Sequence, residues 1–517
     1  MKTFLAKHKS GILADLFLFA LAFVVYLPTL NGAQISDDYG LTDLGQKYSF
    51  TELGSLFSAA APSFLRPFPM LTWWIQFQVA GIHALPSHLL NTGLHAGTAC
   101  ILFWFLSRVG VGRIASLLAA SLFVLTPIAP EAVTWAAGRY DVMALFFIML
   151  TICLYYIAIQ KRSRAILAGS LAAAALALLS KEAALTLVVL VPLAELMFGF
   201  MGTPAAAGGT SAAADTTDAA TVATPKQRLI FSTCRLAPFI ILFAGYFLLR
   251  WSVLGSMGGY SNVSLFGAPG WEATKSTFWV LLTPFNSIVF QDRTINLVGL
   301  YVGLLCLLSL ALVLLRWRRT EAPARRAWAF MAAFFLCSLL PVYSSVFMGD
   351  YTQTLRESRY LYIPTLGLIT VMVVGLMEFG WKSRMWRVPV TAALALLVPL
   401  YFWGLNHNNR PWERASSITA AIPEETRLLL PDPAPETKIF FQMVPRWSGA
   451  YVYVNGLTQA VHWKYGRTDL KIYCIDGQID PADAADGYLF LYDEGSGNLK
   501  MVRRPYGPAG PTGFVPC

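Results

Sequence analysis

The chain has 517 residues, of which 56% are hydrophobic and only 13% are charged, and its mean hydropathy is +0.54. Soluble domains carry about 25% charged residues, so this composition excludes a soluble enzyme and indicates a chain largely surrounded by lipid. The net charge of +10 does not by itself indicate a nucleic-acid partner. In a membrane protein the positions of the basic residues matter more than their sum.

Apolar runs of about 20 residues are long enough to cross a bilayer. Such runs cover residues 11–30, 87–107, 113–128, 142–160, 165–180, 183–200, 236–254, 294–315, 327–346, 359–379 and 388–406. We therefore predict an all-α polytopic membrane protein with about 11 transmembrane helices. The first run lacks a small-residue cleavage site after it, so we expect an anchor rather than a signal peptide.

Basic residues cluster at alternate ends of these runs. The clusters lie at residues 2–9, 108–113, 161–164, 226–235, 316–326 and 382–387. Because positively charged ends stay in the cytoplasm, the N-terminus is predicted to be cytoplasmic and the C-terminal tail to lie outside.

Three segments between the spans have a different composition. Residues 31–86 form a first outer loop with several prolines, where a helix at Met70–Val79 could lie flat on the membrane. Residues 203–225 are rich in Ala, Gly, Thr and Ser, which predicts a flexible cytoplasmic linker. Residues 255–293 predict a second interfacial helix near Trp271–Val289.

The composition changes near residue 410, which predicts two domains. Residues 1–410 form the transmembrane domain, and residues 411–517 form a small extracytoplasmic domain of α/β or β-rich type. β-rich segments lie at 438–443, 450–455, 470–475 and 488–492, and a hairpin turn is predicted at 494–498. This domain shows no catalytic signature. A disulfide between Cys474 and Cys517 is permitted outside the cell, and the sequence leaves it open.

The first candidate site is the pair Asp37 and Asp38, a few residues after the first span. Adjacent carboxylates near a membrane surface suit a general base or a cation site. A solvated turn fits the same pattern equally well.

The second candidate lies between the third and fourth spans and contains Glu131, Trp135, Arg139 and Asp141. A helix beginning at Glu131 would place Glu131, Trp135 and Arg139 on one face. Arg139 could then bind an anion, although an ion pair with Asp141 or Glu131 explains the same residues.

The third candidate is a stripe of His88, Asn91 and His95 on the second span. Polar residues inside spans usually form hydrogen bonds between helices, and this is the stronger interpretation. His88 lies nearest the outer face, so it is the member that we expect in an active site. The spacing supplies no third ligand for a metal.

The fourth candidate enters the tenth span and contains Arg356, Arg359, Tyr360 and Tyr362. Guanidinium groups can bind lipid phosphate with two hydrogen bonds while tyrosines lie at headgroup depth. Simple anchoring at the interface would use the same residues. The pair Lys181-Glu182 adds an outer ion pair or a self-neutralised turn.

At these residues the sequence resembles the GT-C superfamily of polytopic glycosyltransferases, over about residues 10–410. It is similar in particular to the membrane half of the transmembrane-and-tetratricopeptide-repeat O-mannosyltransferases and their bacterial relatives. The motifs that carry the resemblance are Asp37-Asp38, Arg66-Pro67, His88-Leu-Leu-Asn91 with His95, Pro127 through Asp141, Ser180-Lys181-Glu182 and Ser358 through Pro364. The chain departs from these relatives because it carries residues 411–517 where they have tetratricopeptide repeats.

The resemblance implies an inverting glycosyltransferase that takes a sugar from a polyprenyl-phosphate donor at the outer face of the membrane. Asp37 matches the leading acid of the family pair and is the expected base, with Asp38 as second choice. The candidate catalytic residues are Asp37, Asp38 and Glu131, and the candidate substrate-binding residues are Arg66, His88, Arg139, Asp141, Lys181, Glu182, Arg356, Arg359, Tyr360 and Tyr362. The implied location is the bacterial inner membrane.

The expected partners are the lipid donor, membrane lipids and a protein, lipid or glycan acceptor, with no nucleic acid. No cofactor is expected for a monophosphate donor, because arginines can neutralise its charge. If the donor were a pyrophosphate, Asp37, Asp38 and Glu131 would be the candidates to hold Mg²⁺ or Mn²⁺.

Three other classes of protein remain open. A transporter or flippase of lipid-linked sugars also has many spans, but no half-sequence repeat is visible here. A glycan polymerase or ligase would use pyrophosphate lipids. A non-catalytic scaffold would use residues 411–517 for docking.

Overall fold

The computed structural model describes residues 2–57, 64–200, 225–255, 271–346, 354–475, 487–502 and 514–516. Its helices are α1 (Lys2–Tyr26), α2 (Asp37–Lys47), α3 (Pro67–Ala80), α4 (Leu85–Arg108), α5 (Arg113–Val124), α6 (Pro130–Val133), α7 (Arg139–Lys161), α8 (Arg164–Leu178), α9 (Leu187–Ala194), α10 (Pro225–Leu254), α11 (Trp271–Leu282), α12 (Asp292–Arg316), α13 (Ala322–Val346), α14 (Tyr362–Val374), α15 (Arg384–Leu429) and α16 (Leu457–Tyr465). Its strands are β1 (Lys438–Gln442), β2 (Lys471–Ile475), β3 (Gly487–Asp493), β4 (Asn498–Val502) and β5 (Phe514–Pro516).

Every predicted span contains a helix, so the helical polytopic fold class is confirmed. In the described part of the chain, nine helices are long and apolar enough to cross a membrane. Two predicted spans correspond to the shorter apolar helices α5 and α8. These have 12 and 15 residues. At 1.5 Å per residue they are about 18 and 23 Å long, shorter than the hydrocarbon core of a bilayer.

The spans differ in how much of their surface is buried within the bundle. The span at Ser358–Trp381, which contains α14, is 83% buried, whereas the span at Leu229–Leu254 is only 22% buried. A helix whose apolar surface is exposed in this way is stable only against lipid. The polar residues of α4 and α14 are therefore enclosed by protein.

The described part of the first outer loop contains α2, a 3-10 helix at Phe50–Phe57 and α3, and the predicted helix at Met70–Val79 lies within α3. The predicted helix near Trp271–Val289 is shorter, since α11 ends at Leu282. Pro284 follows, and a proline disfavours the helical conformation of the residue before it. The predicted linker at 203–225 lies outside the described residues except for Pro225, where α10 begins.

Helix α15 continues across the domain boundary predicted at residue 410 and ends at Leu429. Polar side chains attach it to the loops of the bundle. Asn408 donates to the carbonyl oxygens of Pro127 and Pro284 at 2.7 and 2.8 Å. Farther along, the Ser416 hydroxyl accepts from Ala33 N at 2.6 Å. The helix is thus a continuous connection from the bundle to the sheet, and the division at residue 410 stays a prediction.

The C-terminal residues form a five-stranded mixed sheet with the order β4-β3-β1-β2-β5. β1 pairs in parallel with β2 and β3, and the antiparallel pairs β3–β4 and β2–β5 form the two edges. The predicted hairpin turn at 494–498 connects β3 to β4. Together with α16, the sheet forms an α/β domain, which is one of the two types predicted for these residues.

The predicted β segment at 450–455 was wrong, because these residues form an irregular loop with one isolated bridge from Trp447 to Tyr451. Its aromatic residues favour strands when they pack on a sheet. Here Tyr453 stacks instead on Tyr39 of α2, with ring centroids 5.9 Å apart. The loop therefore covers the first outer loop rather than extending the sheet.

Cys474 in β2 is disulfide-bonded. Cys517 lies outside the described residues. The cysteines in or beside the spans are free thiols, namely Cys100, Cys153, Cys234, Cys306 and Cys337.

Candidate functional site

A cavity of about 570 Å³ lies where the first outer loop, the α7 start, the tenth span and α16 meet. Six of the predicted site residues line it: Asp37, Arg66, Asp141, Lys181, Arg359 and Tyr360. Its other lining residues are Gly40, Leu41, Phe64, Met70, Trp135, Ala137, Tyr140, Asn455, Gly456 and Gln459. Residues more than 400 positions apart in the chain therefore share one concave surface, the form expected of a ligand site.

Asp37 is the acid at the edge of this cavity. It is the first residue of α2, where the unpaired N–H groups of the helix favour negative charge. Its Oδ1 accepts a hydrogen bond of 2.6 Å from Nδ2 of Asn455. The carboxylate is partly exposed and lines the cavity, so it is accessible to a ligand.

Asp38 is fully buried and does not line the cavity. Its two oxygens accept from the backbone N–H groups of Ile35 and Ala137 at 2.9 and 2.7 Å. Burial raises the pKa of Asp38 to about 8, against the lowering effect of these two donors. Asp38 thus connects the first outer loop to the segment before α7.

We expect Asp38→Asn to destabilise the protein by about 1–3 kcal/mol, because an amide leaves one of the two buried N–H groups without an acceptor. The thermal unfolding midpoint of the purified protein measures this. Activity per folded molecule should fall less than in Asp37→Asn. A variant that is stable but fully inactive would instead make Asp38 the base.

Three cations line the cavity, and each is held by a carboxylate. Arg66 Nη2 lies 2.7 Å from Glu182, and Lys181 Nζ lies 2.5 Å from Asp141. Arg359 pairs with Glu131 and with Glu357. These pairs fix the side chains in one geometry, as preorganised binding of an anion requires.

Tyr360 connects two of these cations. Its ring centroid lies 4.6 Å from Lys181 Nζ and 4.7 Å from the Arg359 guanidinium carbon. Burial lowers the pKa of Lys181, Asp141 raises it, and the charges of Arg66 and Arg359 lower it further. Arg66 and Arg359 are therefore close enough to Lys181 for their charges to repel its ammonium group.

Glu131 and Arg356 were predicted beside these residues but do not line the cavity. Glu131 is buried and accepts from the Ser358 hydroxyl at 3.0 Å as well as from Arg359. The exposed Arg356 lies over the ring of Trp447 at 5.5 Å. Glu131 thus orients Arg359, and Arg356 contacts the C-terminal domain.

The predicted common face of Glu131, Trp135 and Arg139 was wrong, because α6 ends at Val133 and Trp135 is extended. A Cβ on Gly138 would lie 2.3 Å from the carbonyl oxygen of Ala132, so the chain turns back on itself here. Trp135 consequently reaches the cavity while Glu131 packs beneath Arg359.

Arg139 is fully buried behind the cavity. It donates to Thr72, Gln76 and Ser87 at 3.2, 2.6 and 2.8 Å, and its guanidinium carbon lies 3.9 Å from the ring centroid of Trp73. Its hydrogen-bond acceptors among the described residues are neutral side chains, and the carboxylate of Asp38 is close enough to interact with its charge. It holds α3 and α4 together beside Asp38.

The His88, Asn91 and His95 stripe faces the inside of the bundle, as predicted. Asn91 Nδ2 donates to the carbonyl oxygens of Val133, Trp135 and Ala136, and His95 Nδ1 lies 2.7 Å from the Tyr362 hydroxyl. The two nitrogens of buried His88 have no hydrogen-bond partner among the described residues. Neither His88 nor Tyr362 lines the cavity.

The wall contributed by the C-terminal domain consists of Asn455, Gly456 and Gln459, which were not predicted from the sequence. Gly456 has a φ of +89°, and a Cβ there would lie 2.5 Å from the carbonyl oxygen of Ser36. Only glycine tolerates both conditions. The Asn-Gly dipeptide is a turn signal in the sequence, but nothing local connects it to Asp37.

In the described part of the chain, no group of three or more His, Cys, Asp or Glu residues is arranged to hold a metal ion. Of Asp37, Asp38 and Glu131, only Asp37 lines the cavity. The expectation of a site without a cofactor stays a prediction.

No family profile matches the chain. Protein O-mannosyl-transferase Tmtc1 of Drosophila melanogaster is 28% identical over 189 residues, covering 34% of this chain and 22% of the relative. Tmtc2 of the same species is 30% identical over 218 residues, covering 38% and 23%. The matches thus span less than a quarter of the length of these relatives. They confirm the resemblance to membrane glycosyltransferases of the GT-C superfamily.

Two solved structures overlap most of the chain at 12% identity. ArnT from Cupriavidus metallidurans bound to undecaprenyl phosphate has a TM-score of 0.47 and covers 93% of each chain. The archaeal oligosaccharyltransferase AglB from Archaeoglobus fulgidus, in complex with an inhibitory peptide and a dolichol-phosphate, has a TM-score of 0.44. That overlap covers 98% of this chain and 76% of AglB.

Proposed function

We propose that this membrane protein is an inverting glycosyltransferase that moves a sugar from a polyprenyl-phosphate donor to an acceptor hydroxyl. One observation carries the proposal: Asp37 lines the same cavity as Arg66, Lys181 and Arg359. An acid that can accept a proton and cations that can hold a phosphate are the two components that this reaction needs. The O-mannosyl-transferase relatives support the reaction class.

In the proposed step Asp37 removes the proton from the acceptor hydroxyl as its oxygen attacks the anomeric carbon. The bond from that carbon to the phosphate oxygen breaks on the opposite side, and its electron pair leaves with the lipid phosphate. A positioned base of this kind contributes about 10²- to 10⁴-fold in rate. The new bond has the inverted configuration because attack and departure occur on opposite faces.

The leaving phosphate gains negative charge, which the cations stabilise. Glu182 lies near both Arg66 and Arg250, at 2.7 and 3.3 Å, so this group of three keeps one net positive charge. Lys181 is neutralised by Asp141, yet its ammonium can still donate a hydrogen bond. We therefore place the phosphate beside Arg66 and Lys181, with Arg359 and Tyr360 on its other side.

The side of the membrane follows from the charge distribution. Basic clusters mark the opposite ends of the spans from those that meet the cavity, and such clusters stay in the cytoplasm. The cavity and the C-terminal domain would then lie outside the cytosol, in keeping with the disulfide at Cys474. We propose the inner membrane of a bacterium as the location, with the N-terminus in the cytoplasm.

Purified protein in lipid nanodiscs, incubated with radiolabelled polyprenyl-phosphate mannose, tests the proposal. Release of mannose to water or transfer to an added acceptor supports a transferase. Counterflow of intact donor across vesicles without cleavage would instead indicate a flippase. Cleavage only of a pyrophosphate-linked glycan would indicate a polymerase or ligase.

We expect Arg66→Gln to raise the donor KM by about tenfold with little loss of folded protein. A charge-assisted hydrogen bond to phosphate contributes about 1.5–3 kcal/mol, and Glu182 keeps Arg250 as a partner after the change. Steady-state kinetics measures KM. The control is Arg293→Gln, at an exposed arginine that does not line the cavity. An unchanged KM in Arg66→Gln would remove Arg66 from the phosphate site.

A further inference from the structure

The C-terminal domain forms one wall of the cavity and contacts the acid that is proposed as the base. Asn455, the residue before the Gly456 turn, donates from Nδ2 to Asp37 Oδ1 at 2.6 Å. Its backbone N–H lies 3.4 Å from the Ser36 hydroxyl oxygen. Two hydrogen bonds therefore connect residue 455 to the beginning of α2, across more than 400 positions of sequence.

The loop that carries Asn455 is held rigidly against α2. Tyr453 stacks on Tyr39, and the hydroxyl of Tyr453 donates to the carbonyl oxygen of Thr419 at 2.7 Å. Trp463 of α16 packs on the same Tyr39 ring, with centroids 5.4 Å apart. Because the buried aromatic residues fix the loop, the exposed amide at its end is held at a set distance from Asp37.

We propose that Asn455 is a positioning residue that holds Asp37 in the rotamer needed for proton removal. This inference rests on the proposed function of Asp37 as the base. With Oδ1 bound to Asn455, the second oxygen, Oδ2, is the one that takes the acceptor proton. Without the amide, the partly exposed carboxylate can turn between rotamers, and only some of them point into the cavity.

Asn455 is suited to this role and poorly suited to stabilising the fold. It is exposed, and the contacts that fix its loop come from Tyr453, Gly456 and Trp463. Removing its side chain should therefore leave the thermal unfolding midpoint nearly unchanged. A geometric error of about 1 Å at a reacting group can reduce rate by 10²-fold.

The test measures mannose release from radiolabelled polyprenyl-phosphate mannose, with water as the acceptor, by the full-length protein in nanodiscs. We expect Asn455→Ala to lower kcat by about 10- to 100-fold with the donor KM within twofold of wild type. Asn455→Gln keeps an amide N–H and should retain more of the rate. Asn455→Asp places a second negative charge beside Asp37 and should retain the least. The control is Asn406→Ala, a partly exposed amide on α15 that does not line the cavity.

The double variant Asp37→Asn/Asn455→Ala tests whether Asn455 affects the rate by positioning Asp37 or by a route that does not involve Asp37. If Asn455 acts through Asp37, the double variant releases mannose no more slowly than Asp37→Asn alone. Full activity in Asn455→Ala, or a fall in rate matched by a fall in folded protein, would overturn the positioning role alone. If the wild-type protein neither releases mannose to water nor transfers it to an added acceptor, the proposed function is overturned, and the inference with it.

Discussion

Asp37→Asn is expected to reduce sugar transfer by about 10²- to 10⁴-fold while the protein still inserts and folds. Asparagine has nearly the same shape, but it cannot take a proton from the acceptor hydroxyl. Asp37 is partly exposed, so the change leaves no unpaired charge in the core. Transfer of radiolabelled sugar, divided by the amount of folded protein, measures the effect.

The matched control for this prediction is Asp43→Asn. Asp43 lies on the same helix α2 and undergoes the same chemical change, but it does not line the cavity. Its activity should equal that of the wild-type protein. Equal activity in Asp37→Asn and Asp43→Asn would remove Asp37 from the mechanism.

Arg359→Met is expected to destabilise the protein by about 3–5 kcal/mol in addition to weakening donor binding. Its partner Glu131 is buried, and removing one member of a buried ion pair leaves an uncompensated charge. The yield of folded protein and the thermal unfolding midpoint in detergent measure this. Arg356→Met, three residues earlier at an exposed position, is the control and should change the midpoint little.

A compensating change separates the two roles of Arg359. The double variant Glu131→Gln/Arg359→Met removes both charges and should recover much of the lost stability, because the remaining amide is neutral. Donor binding should stay weak in the double variant. Recovery of donor binding together with stability would mean that Arg359 serves only to neutralise Glu131.

The spans and the residues of the main cluster could be predicted from the sequence because both depend on local signals. A run of 20 apolar residues has few alternatives to a membrane helix, and alternating basic clusters fix its direction. Charged residues such as Asp37, Arg66 and Lys181 stand out beside such runs. Their common sidedness predicts that they meet, and the structure places all three on one cavity.

The role of the C-terminal domain could not be predicted, because it depends on contacts that leave no local pattern. Asn455 and Gln459 are ordinary polar residues, and only the docking of the loop on Tyr39 brings them to the cavity. The predicted common face of Glu131, Trp135 and Arg139 was wrong for a related reason. A short helix that ends at Val133 and an extended Trp135 depend on hydrogen bonds from Asn91, 44 positions away from Trp135.

Because α15 is one continuous helix, the number of residues in it sets the orientation of the C-terminal sheet relative to the bundle. Hydrogen bonds of Asn408 and Ser416 attach the middle of α15 to the bundle. The sheet and the loop with Asn455 follow its C-terminal end. Each residue of an α-helix advances it by 1.5 Å and turns it by about 100°. One residue inserted between Thr419 and Leu429 would rotate the sheet by about 100° around the helix axis and would move Asn455 away from Asp37.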